Sequence, residues 1–249
     1  MQLTLVQIDN YGPWTVTPQP KPEAELQILQ AKLFADLEQE FASHGGLLFQ
    51  TRVDNMLAIS NGLDLDAHRE IQKKIHENYP ITLSMGIGAA ETPYKAQELA
   101  THALQRIGGS RSPSRVSGLG GQVLTSKDEN WVQIAHMDVN HVTPMTDSEP
   151  IYDTHLLFQR VHLCLIQHLA RHGALVFYTG GDNFMAPSNG IGRKELSSGF
   201  DKIRDELGVE LKAGVGSGPN AETASKLASE ALQEIREDKA PDYVVFKNS

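Results

Sequence analysis

Cysteine is almost absent from this chain of 249 residues. The single cysteine, Cys164, lies in the apolar-periodic segment LLFQRVHLCLIQHLA. One thiol cannot form a disulfide within the chain, and it cannot supply the several sulfur ligands of a cysteine-rich zinc site. The sequence therefore excludes disulfide-stapled scaffolds and the zinc enzymes that depend on clustered cysteines.

Long apolar runs and an excess of positive charge are also missing. No stretch approaches the roughly 20 apolar residues of a membrane helix, and the opening MQLTLVQIDNYG has no basic region before an apolar core. The formal net charge is -9, whereas binding to a phosphate backbone needs clustered Lys and Arg. We expect a cytoplasmic protein with no membrane and no nucleic acid polymer as partner, which leaves room for a small anion bound through metal ions.

The chain repeats itself. FQTRVDNMLAISNG, residues 49–62, matches FYTGGDNFMAPSNG, residues 177–190, at 8 of 14 positions with an offset of 128. Upstream, LVQIDNYG matches IAHMDVNH, which places Asp9 over Asp138. A repeat of this length predicts a tandem duplication. The same offset continues downstream and pairs Gly86 with Gly214 and Gly88 with Gly216.

Each half contains the same order of predicted elements. A strand that ends in Asp is followed by a long helix, a hairpin with Asp-Asn at its turn, a second helix, a strand, a third helix and a short strand. Strand, helix, hairpin, helix, strand is the ferredoxin-like order. We therefore predict an α+β fold of two tandem ferredoxin-like domains, residues 1–127 and 128–249. Apolar residues recur at helical spacing in the two long helices: Leu26, Leu29, Leu33, Leu37 and Phe41, and Leu157, Val161, Leu165 and Leu169.

Two carboxylates are predicted to meet in each domain. In this order of elements the first strand and the hairpin are neighbours, so Asp9 approaches Asp54, and Asp138 approaches Asp182. Adjacent carboxylates repel unless a cation lies between them, and two divalent ions about 3.5 to 4 Å apart are typical of phosphoryl chemistry. Mg²⁺ is the expected ion because it binds through one or two carboxylates and keeps several waters.

The glycines before Asp182 have two interpretations. Gly180 and Gly181 allow backbone N–H groups to approach a ligand, or they serve only the tight turn. Because both hairpins are paired with a second Asp, we favour metal binding. Arg52 and Val53 replace the glycines in the first half, so the two sites are not equivalent.

The segment GGSRSPSRVSGLGG, residues 108–121, is rich in Gly, Ser and Pro. Its composition favours a flexible surface loop within the first domain. The functional alternative is a basic lid in which Arg111 or Arg115 reaches a phosphate.

Other candidates carry less weight. His168 and His172 stand one helical turn apart but lack a carboxylate at motif spacing, so we interpret them as residues of a helix face. Trp14 suits either base stacking or loop packing. Lys212 and Lys226 occupy ordinary positions from which a lysine can also contact phosphate.

Four motifs carry a resemblance to a known family. A strand-end Asp and a GGDN hairpin resemble the palm-like domains of nucleotidyl cyclases. QIDNYGPWTVTPQP, FQTRVDNMLAISNG, VQIAHMDVN and YTGGDNFMAPSNG together resemble GTP cyclohydrolase III, the archaeal type, over a region from Gln7 to about Asp238. The resemblance implies two tandem palm-like domains.

The resemblance also implies an activity. It implies hydrolysis of GTP to 2-amino-5-formylamino-6-(5-phosphoribosylamino)pyrimidin-4(3H)-one and inorganic phosphate, in flavin or deazaflavin biosynthesis. Two Mg²⁺ ions would activate water, a monovalent cation such as K⁺ would stimulate turnover, and the chain would form a homo-oligomer.

The resemblance implies site residues as well. Asp9 and Asp54 are the implied catalytic metal ligands, with Asp138 and Asp182 as their counterparts. Because the first half carries the longer signature, we expect the first pair to dominate catalysis. The implied substrate-binding residues are Asn10, Tyr11, Gly12, Trp14, Arg52, Asn55, Gly180, Gly181 and Asn183.

Two other functions fit the same motifs. A nucleotidyl cyclase of the diguanylate type would release a cyclic product from GTP and Mg²⁺. A non-catalytic GTP-sensing module would bind metal and nucleotide without releasing phosphate. Fold analogy alone does not choose among the three, since one fold supports many functions.

Overall fold

The computed structural model describes residues 1–125 and 131–249. The predicted domain boundary, between residues 127 and 128, lies outside the described residues. The chain divides into two compact units, which we describe separately. Unit 1 contains Met1–Glu91 and the stretch that begins at Lys95, and unit 2 contains Thr92–Tyr94 and Trp131–Ser249.

Unit 1 contains a five-stranded sheet with the strand order β2-β3-β1-β4-β5. β1 runs antiparallel to both of its neighbours, and β5 runs parallel to β4. In chain order the elements from Gln2 to Gly121 are β1 (Gln2–Ile8), α1 (Tyr11–Val16), α2 (Glu23–Ala42), β2 (Leu47–Arg52), β3 (Asn55–Ile59), α3 (Leu65–Asn78), β4 (Leu83–Ala89), α4 (Pro93–Ile107) and β5 (Leu119–Gly121).

Unit 2 contains a second five-stranded sheet with the strand order β10-β9-β6-β8-β7. Here β6 is the strand that runs antiparallel to both neighbours, and β10 runs parallel to β9. The elements are β6 (Val132–Val139), α5 (Val142–Ser148), α6 (Ile151–Leu169), a short 3₁₀ helix (Ala170–His172), β7 (Phe177–Gly180), β8 (Asn183–Pro187), α7 (Arg193–Leu207), β9 (Leu211–Gly218), α8 (Ala221–Arg236) and β10 (Val244–Asn248).

The two long helices bury the predicted apolar stripes. In α2, Leu33, Leu37 and Phe41 are fully buried, and α6 buries Val161 and Leu165 in the same way. Side chains four residues apart share one face of a helix, so these residues contact the sheet together. The α+β class and both hairpins, with Asp54 and Asp182 at their turns, are confirmed.

The opposite face of each sheet lies against a helix with almost no space between them. A Cβ added to Gly86 would lie 2.1 Å from the carbonyl oxygen of Ala100 in α4. In unit 2, a Cβ on Gly214 would lie 2.0 Å from the carbonyl oxygen of Ala228 in α8. The glycine pairs of the repeat are therefore needed where a helix packs directly on the backbone of a strand.

A buried polar network ties β1 to α3. The Thr4 hydroxyl lies 2.7 Å from Nε2 of His68 and 2.8 Å from the Ser60 hydroxyl. His68 Nδ1 lies 2.6 Å from the Asp64 carbonyl oxygen. Because a carbonyl only accepts, Nδ1 carries the proton and Nε2 accepts from Thr4. Burial lowers the pKa of His68, against a smaller opposing contribution from the Asp64 carbonyl.

No helix within the described residues has the length and apolarity that crossing a membrane requires. The last strand of unit 1, predicted for GQVLT at residues 121–125, begins two residues earlier and is shorter, because only Leu119–Gly121 pairs with β4.

We predict that Gly86→Ala destabilises unit 1 by about 3 kcal/mol, because the new methyl group collides with backbone rather than with a movable side chain. Urea unfolding measures the loss. Gly109→Ala is the matched control, since a Cβ there meets nothing within 4 Å. Equal stability of the two variants would contradict the direct helix–strand contact.

We also predict a pH dependence of stability from His68. Its folded-state pKa is lowered, so the unfolded chain binds more protons once the pH falls below about 6.5. The free energy of unfolding should therefore decrease as the pH is lowered from about 6.5 and be unaffected by this group at higher pH. His68→Leu, which copies Leu196 of unit 2, should reduce the slope. Urea titrations at several pH values measure this dependence. If the free energy of unfolding changes with pH equally in wild type and in His68→Leu, the role of His68 is contradicted.

Candidate active site

In both units the strand-end aspartate lies beside the turn of the hairpin. In unit 1 the β1 residue Ile8 donates its N–H to the Asp54 carbonyl oxygen at 3.1 Å. In unit 2 Asp138 is the direct cross-strand partner of Asn183, the residue after Asp182. The antiparallel pairing of the first strand with the hairpin thus creates the predicted juxtaposition of backbone positions.

The side chains of Asp138 and Asp182 meet in unit 2, where each carboxyl group is a hydrogen-bonding neighbour of the other. Asp138 is almost fully buried, at 3% exposure. Its Oδ2 accepts from Nε and Nη2 of Arg236 at 2.9 and 2.6 Å, and Lys212 Nζ lies 3.5 Å away. Two cations of the chain therefore face one oxygen of this carboxylate.

The two carboxyl groups have opposite pKa shifts. Burial, together with the hydrogen bond to Asp138 and its charge, raises the pKa of Asp182 to about 6. Burial also raises the pKa of Asp138, but the hydrogen bonds from Asp182 and Arg236 outweigh it and hold that pKa below its ordinary value. This divergence is typical of two carboxylates that share one site.

The second oxygen of Asp138, Oδ1, is buried and lacks a hydrogen-bond donor among the described residues. When Asp182 is also ionised, no proton is available between the two groups, and a buried anionic oxygen without a donor is costly. A divalent cation between the carboxylates would satisfy Oδ1, so these residues fit a Mg²⁺ ion coordinated by oxygen.

The pair in unit 1 is arranged differently. Asp9 Oδ1 accepts from Nε of Arg115 at 2.7 Å, and its Oδ2 accepts from the Thr82 hydroxyl and the Ser117 N–H at 2.8 and 3.0 Å. The Asp54 carboxylate accepts two hydrogen bonds from Arg52, at 3.0 and 2.8 Å. Each carboxylate therefore has an arginine where the sequence predicts a shared cation, and the pair as arranged does not fit a metal ion.

The expected flexible loop at residues 108–121 is partly wrong. Arg115 is 3% exposed, and its guanidinium bonds to Asp9, Gln7 and the Gly108 carbonyl oxygen. A buried arginine paired with a carboxylate does not reach a phosphate, so the lid interpretation does not hold for Arg115 in this arrangement. Arg111 is exposed, and its role stays a prediction.

The predicted substrate residues of the first half lie close to Asp9. Asn10, which has a positive φ of 51°, precedes α1. Tyr11 and Trp14 stack with ring centroids 6.1 Å apart. A Cβ added to Gly12 would lie 4.0 Å from Nε of Arg111. A cavity of about 210 Å³ is lined by Asp9, Asn10, Trp14, His76, Pro80, Ile81 and Thr82.

The hairpin residues differ between the units. Gly180 and Gly181 have φ values of 108° and 60°, so the turn itself requires glycine, and their approach to a ligand stays a prediction. The guanidinium of Arg52 donates both of its hydrogen bonds described above to Asp54. Asn55 accepts a hydrogen bond from Gln7 at 2.6 Å, and Asn183 accepts one from His136 at 3.1 Å.

Sequence reasoning missed two residues of the unit 2 site. Arg236 is the last residue of α8, and no spacing rule connects it to Asp138. His136 lies two residues before Asp138, and burial lowers its pKa. The alternation of a strand places residues 136 and 138 on one face, and that signal could have identified His136.

The weaker candidates do not form a metal site. His168 and His172 have ring centroids 5.2 Å apart, but His168 Nε2 is 3.1 Å from the Glu195 carbonyl oxygen. Residues 1–125 and 131–249 contain no group of three or more His, Cys, Asp and Glu arranged to hold a metal. A metal in unit 2 would therefore depend on two carboxylates completed by water or substrate oxygens.

Comparison with known proteins identifies relatives along the whole chain. The sequence model of the family described as GTP cyclohydrolase III matches residues 1–249. GTP cyclohydrolase III of Methanothermobacter thermautotrophicus is 55% identical and covers 95% of this chain and 94% of its own. The enzyme of the same name from Methanobrevibacter smithii is 52% identical over 95% and 94%.

Among solved structures, the GGDEF domain of DgcB from Caulobacter crescentus in complex with c-di-GMP matches 47% of this chain and 77% of its own. The match has 13% identity and a TM-score of 0.39.

Loss of Arg115 should destabilise unit 1. Arg115→Leu leaves the Asp9 carboxylate buried without its counter-charge, which costs about 3 to 5 kcal/mol. Adding Asp9→Asn should recover part of this loss, and a double-mutant cycle in urea measures the coupling. Arg111→Leu, in the same loop but exposed, should change stability by less than about 0.5 kcal/mol. A small loss of stability in Arg115→Leu that simply adds to the loss in Asp9→Asn would show that the two residues do not form a structural contact.

Proposed function

The chain belongs to the GTP cyclohydrolase III family, and we propose that it hydrolyses GTP with opening of the imidazole ring of guanine. The products are 2-amino-5-formylamino-6-(5-phosphoribosylamino)pyrimidin-4(3H)-one and inorganic phosphate. Support comes from a family match over residues 1–249 and from relatives above 50% identity along nearly the full chain. One site observation carries the chemistry: the buried Asp138 Oδ1 without a donor beside a second carboxylate.

Mg²⁺ is the cofactor that we propose for this reaction, held by Asp138 and Asp182. When bound, Mg²⁺ polarises an attacking water and screens the negative charge of a triphosphate. Asp138 binds in its ionised form because Arg236 and Lys212 favour that form. The single cysteine and the oxygen-rich site favour Mg²⁺ over zinc.

Arg236 and Lys212 have a second use in this proposal. Both already face Asp138, and the Arg236 side chain is 38% exposed. A cation that neutralises Asp138 releases these donors, which are then available to phosphate oxygens. The same residues thus stabilise the carboxylate in the metal-free protein and suit a phosphorylated substrate.

The roles of Asp9 and Asp54 stay predictions from the resemblance. A metal at Asp9 would require Arg115 to withdraw from the carboxylate. We propose that the two units arose by duplication of a palm-like domain, which is supported by their equivalent strand orders and by the 8 of 14 identities of the hairpin repeat. Stimulation by K⁺, assembly into a homo-oligomer and a cytoplasmic location also stay predictions.

Product analysis tests the proposed reaction. Incubation with GTP and Mg²⁺ should release inorganic phosphate and a formamidopyrimidine nucleotide, resolved by chromatography with mass detection. A cyclic nucleotide would replace this proposal by a cyclase, and nucleotide binding without phosphate release would replace it by a sensing module. Full activity with zinc after exhaustive removal of magnesium would overturn the choice of metal.

Asp182→Asn should lower kcat at least about a hundredfold, because loss of a metal ligand removes several kcal/mol of polarisation. Asp66→Asn, on an exposed face of α3, is the matched control and should retain wild-type turnover. Asp54→Asn discriminates between the units. If Asp54→Asn abolishes product formation and Asp182→Asn spares it, with both variants folded, the main site belongs to unit 1.

A further inference from the structure

A chain of side-chain hydrogen bonds leads from α8 to the Asp182 carboxylate. Ser229 Oγ in α8 lies 3.2 Å from His136 Nδ1. His136 Nε2 lies 3.1 Å from Asn183 Oδ1, and Asn183 Nδ2 donates to Asp182 Oδ1 at 3.0 Å. The chain connects three elements, α8, β6 and β8, to one carboxylate at a hairpin turn.

With a neutral His136 imidazole, the donors and acceptors in this chain have one order. An ionised carboxylate only accepts, so the Asn183 amide nitrogen must face Asp182. Arg236 only donates, and its Nη2 lies 3.5 Å from Asn183 Oδ1, so the amide oxygen must face the other way. His136 then carries its proton on Nε2, and Nδ1 accepts from the Ser229 hydroxyl.

Asp182 needs such a restraint. It follows two glycines with positive φ in a tight turn, and its neighbour is the buried carboxylate of Asp138. Two like charges in contact repel, and a half-buried side chain at a turn can rotate into solvent. A hydrogen bond that holds the carboxylate inward counteracts both tendencies.

Unit 1 contains the same contact made by a different residue. Gln7 occupies the position of His136, two residues before the strand-end aspartate, and its Nε2 donates to Asn55 Oδ1 at 2.6 Å. Asp54, however, is held by Arg52 rather than by Asn55. An amide therefore replaces the imidazole as donor, and among the described residues the full connection to the carboxylate is found in unit 2 alone.

We propose that His136 is a positioning residue that, through Asn183, holds the Asp182 carboxylate beside Asp138 for a divalent cation. This inference rests on the cation assignment in the proposed function. His136 does not contact the cation or the substrate in this role. Its contribution is to fix the orientation of the amide that holds a metal ligand.

Mn²⁺ binding to the nucleotide-free protein, measured by electron paramagnetic resonance, tests the proposal. His136→Leu should weaken Mn²⁺ binding about tenfold or more, which is the usual effect of losing a residue that orients a ligand. His136→Gln should bind within about twofold of wild type, because Gln7 shows that this side chain makes the same contact. In an Asp182→Asn background, His136→Leu should have no further effect.

Three outcomes would overturn the proposal. His136→Leu could retain wild-type Mn²⁺ affinity, His136→Gln could be as weak as His136→Leu, or the loss could persist undiminished in the Asp182→Asn background. If His136→Leu does not fold, Asn183→Leu replaces it with the same expected loss. A wild-type protein that binds no Mn²⁺ would overturn this inference and the cation assignment together. Normal Mn²⁺ binding without GTP turnover would overturn only the proposed reaction.

Discussion

The burial of an aspartate at the end of the first strand is the constraint on which both sites depend. Asp9 and Asp138 are 5% and 3% exposed, and a buried carboxylate without a counter-charge is too costly to persist. Unit 1 supplies an arginine from the loop before β5, and unit 2 supplies one from the end of α8 together with a lysine of β9. In each unit, a segment late in the chain thus places a basic side chain beside the aspartate at the end of the first strand.

The two arrangements of counter-charge give the two units different chemical properties. In unit 1 three donors surround Asp9, and the hairpin aspartate has its own arginine, so the charges are balanced internally. In unit 2 the balance is incomplete, since Asp138 has a second carboxylate as its neighbour and its buried Oδ1 has no donor among the described residues. An equal number of aspartates therefore produces an arginine–carboxylate ion pair in one unit and an acceptor for an added cation in the other.

Local pattern in the sequence was enough to predict most of the architecture. The spacing of Leu33, Leu37 and Phe41 predicts the buried face of α2 correctly, and the Asp-Asn pairs mark both hairpin turns. The pairing of the two arginines with the strand-end aspartates could not be predicted, because Arg115 and Arg236 lie 106 and 98 residues from their partners. Composition even pointed the wrong way for Arg115, since a segment rich in Gly, Ser and Pro suggests exposure. Side-chain pairing over such separations depends on tertiary packing that periodicity does not encode.

The glycine contacts under α4 and α8 have a mechanical consequence. Because the backbone of α8 lies directly against Gly214 and Gly216 of β9, a movement of the helix toward the strand would produce a collision. Arg236, in the last turn of α8, is therefore carried by a helix whose position against the sheet is fixed. Arg115 is carried by a loop, whose dihedral angles can change while the sheet stays still. Withdrawal of the internal counter-charge from the buried aspartate would then require a change of loop conformation in unit 1 and only a side-chain rotation in unit 2.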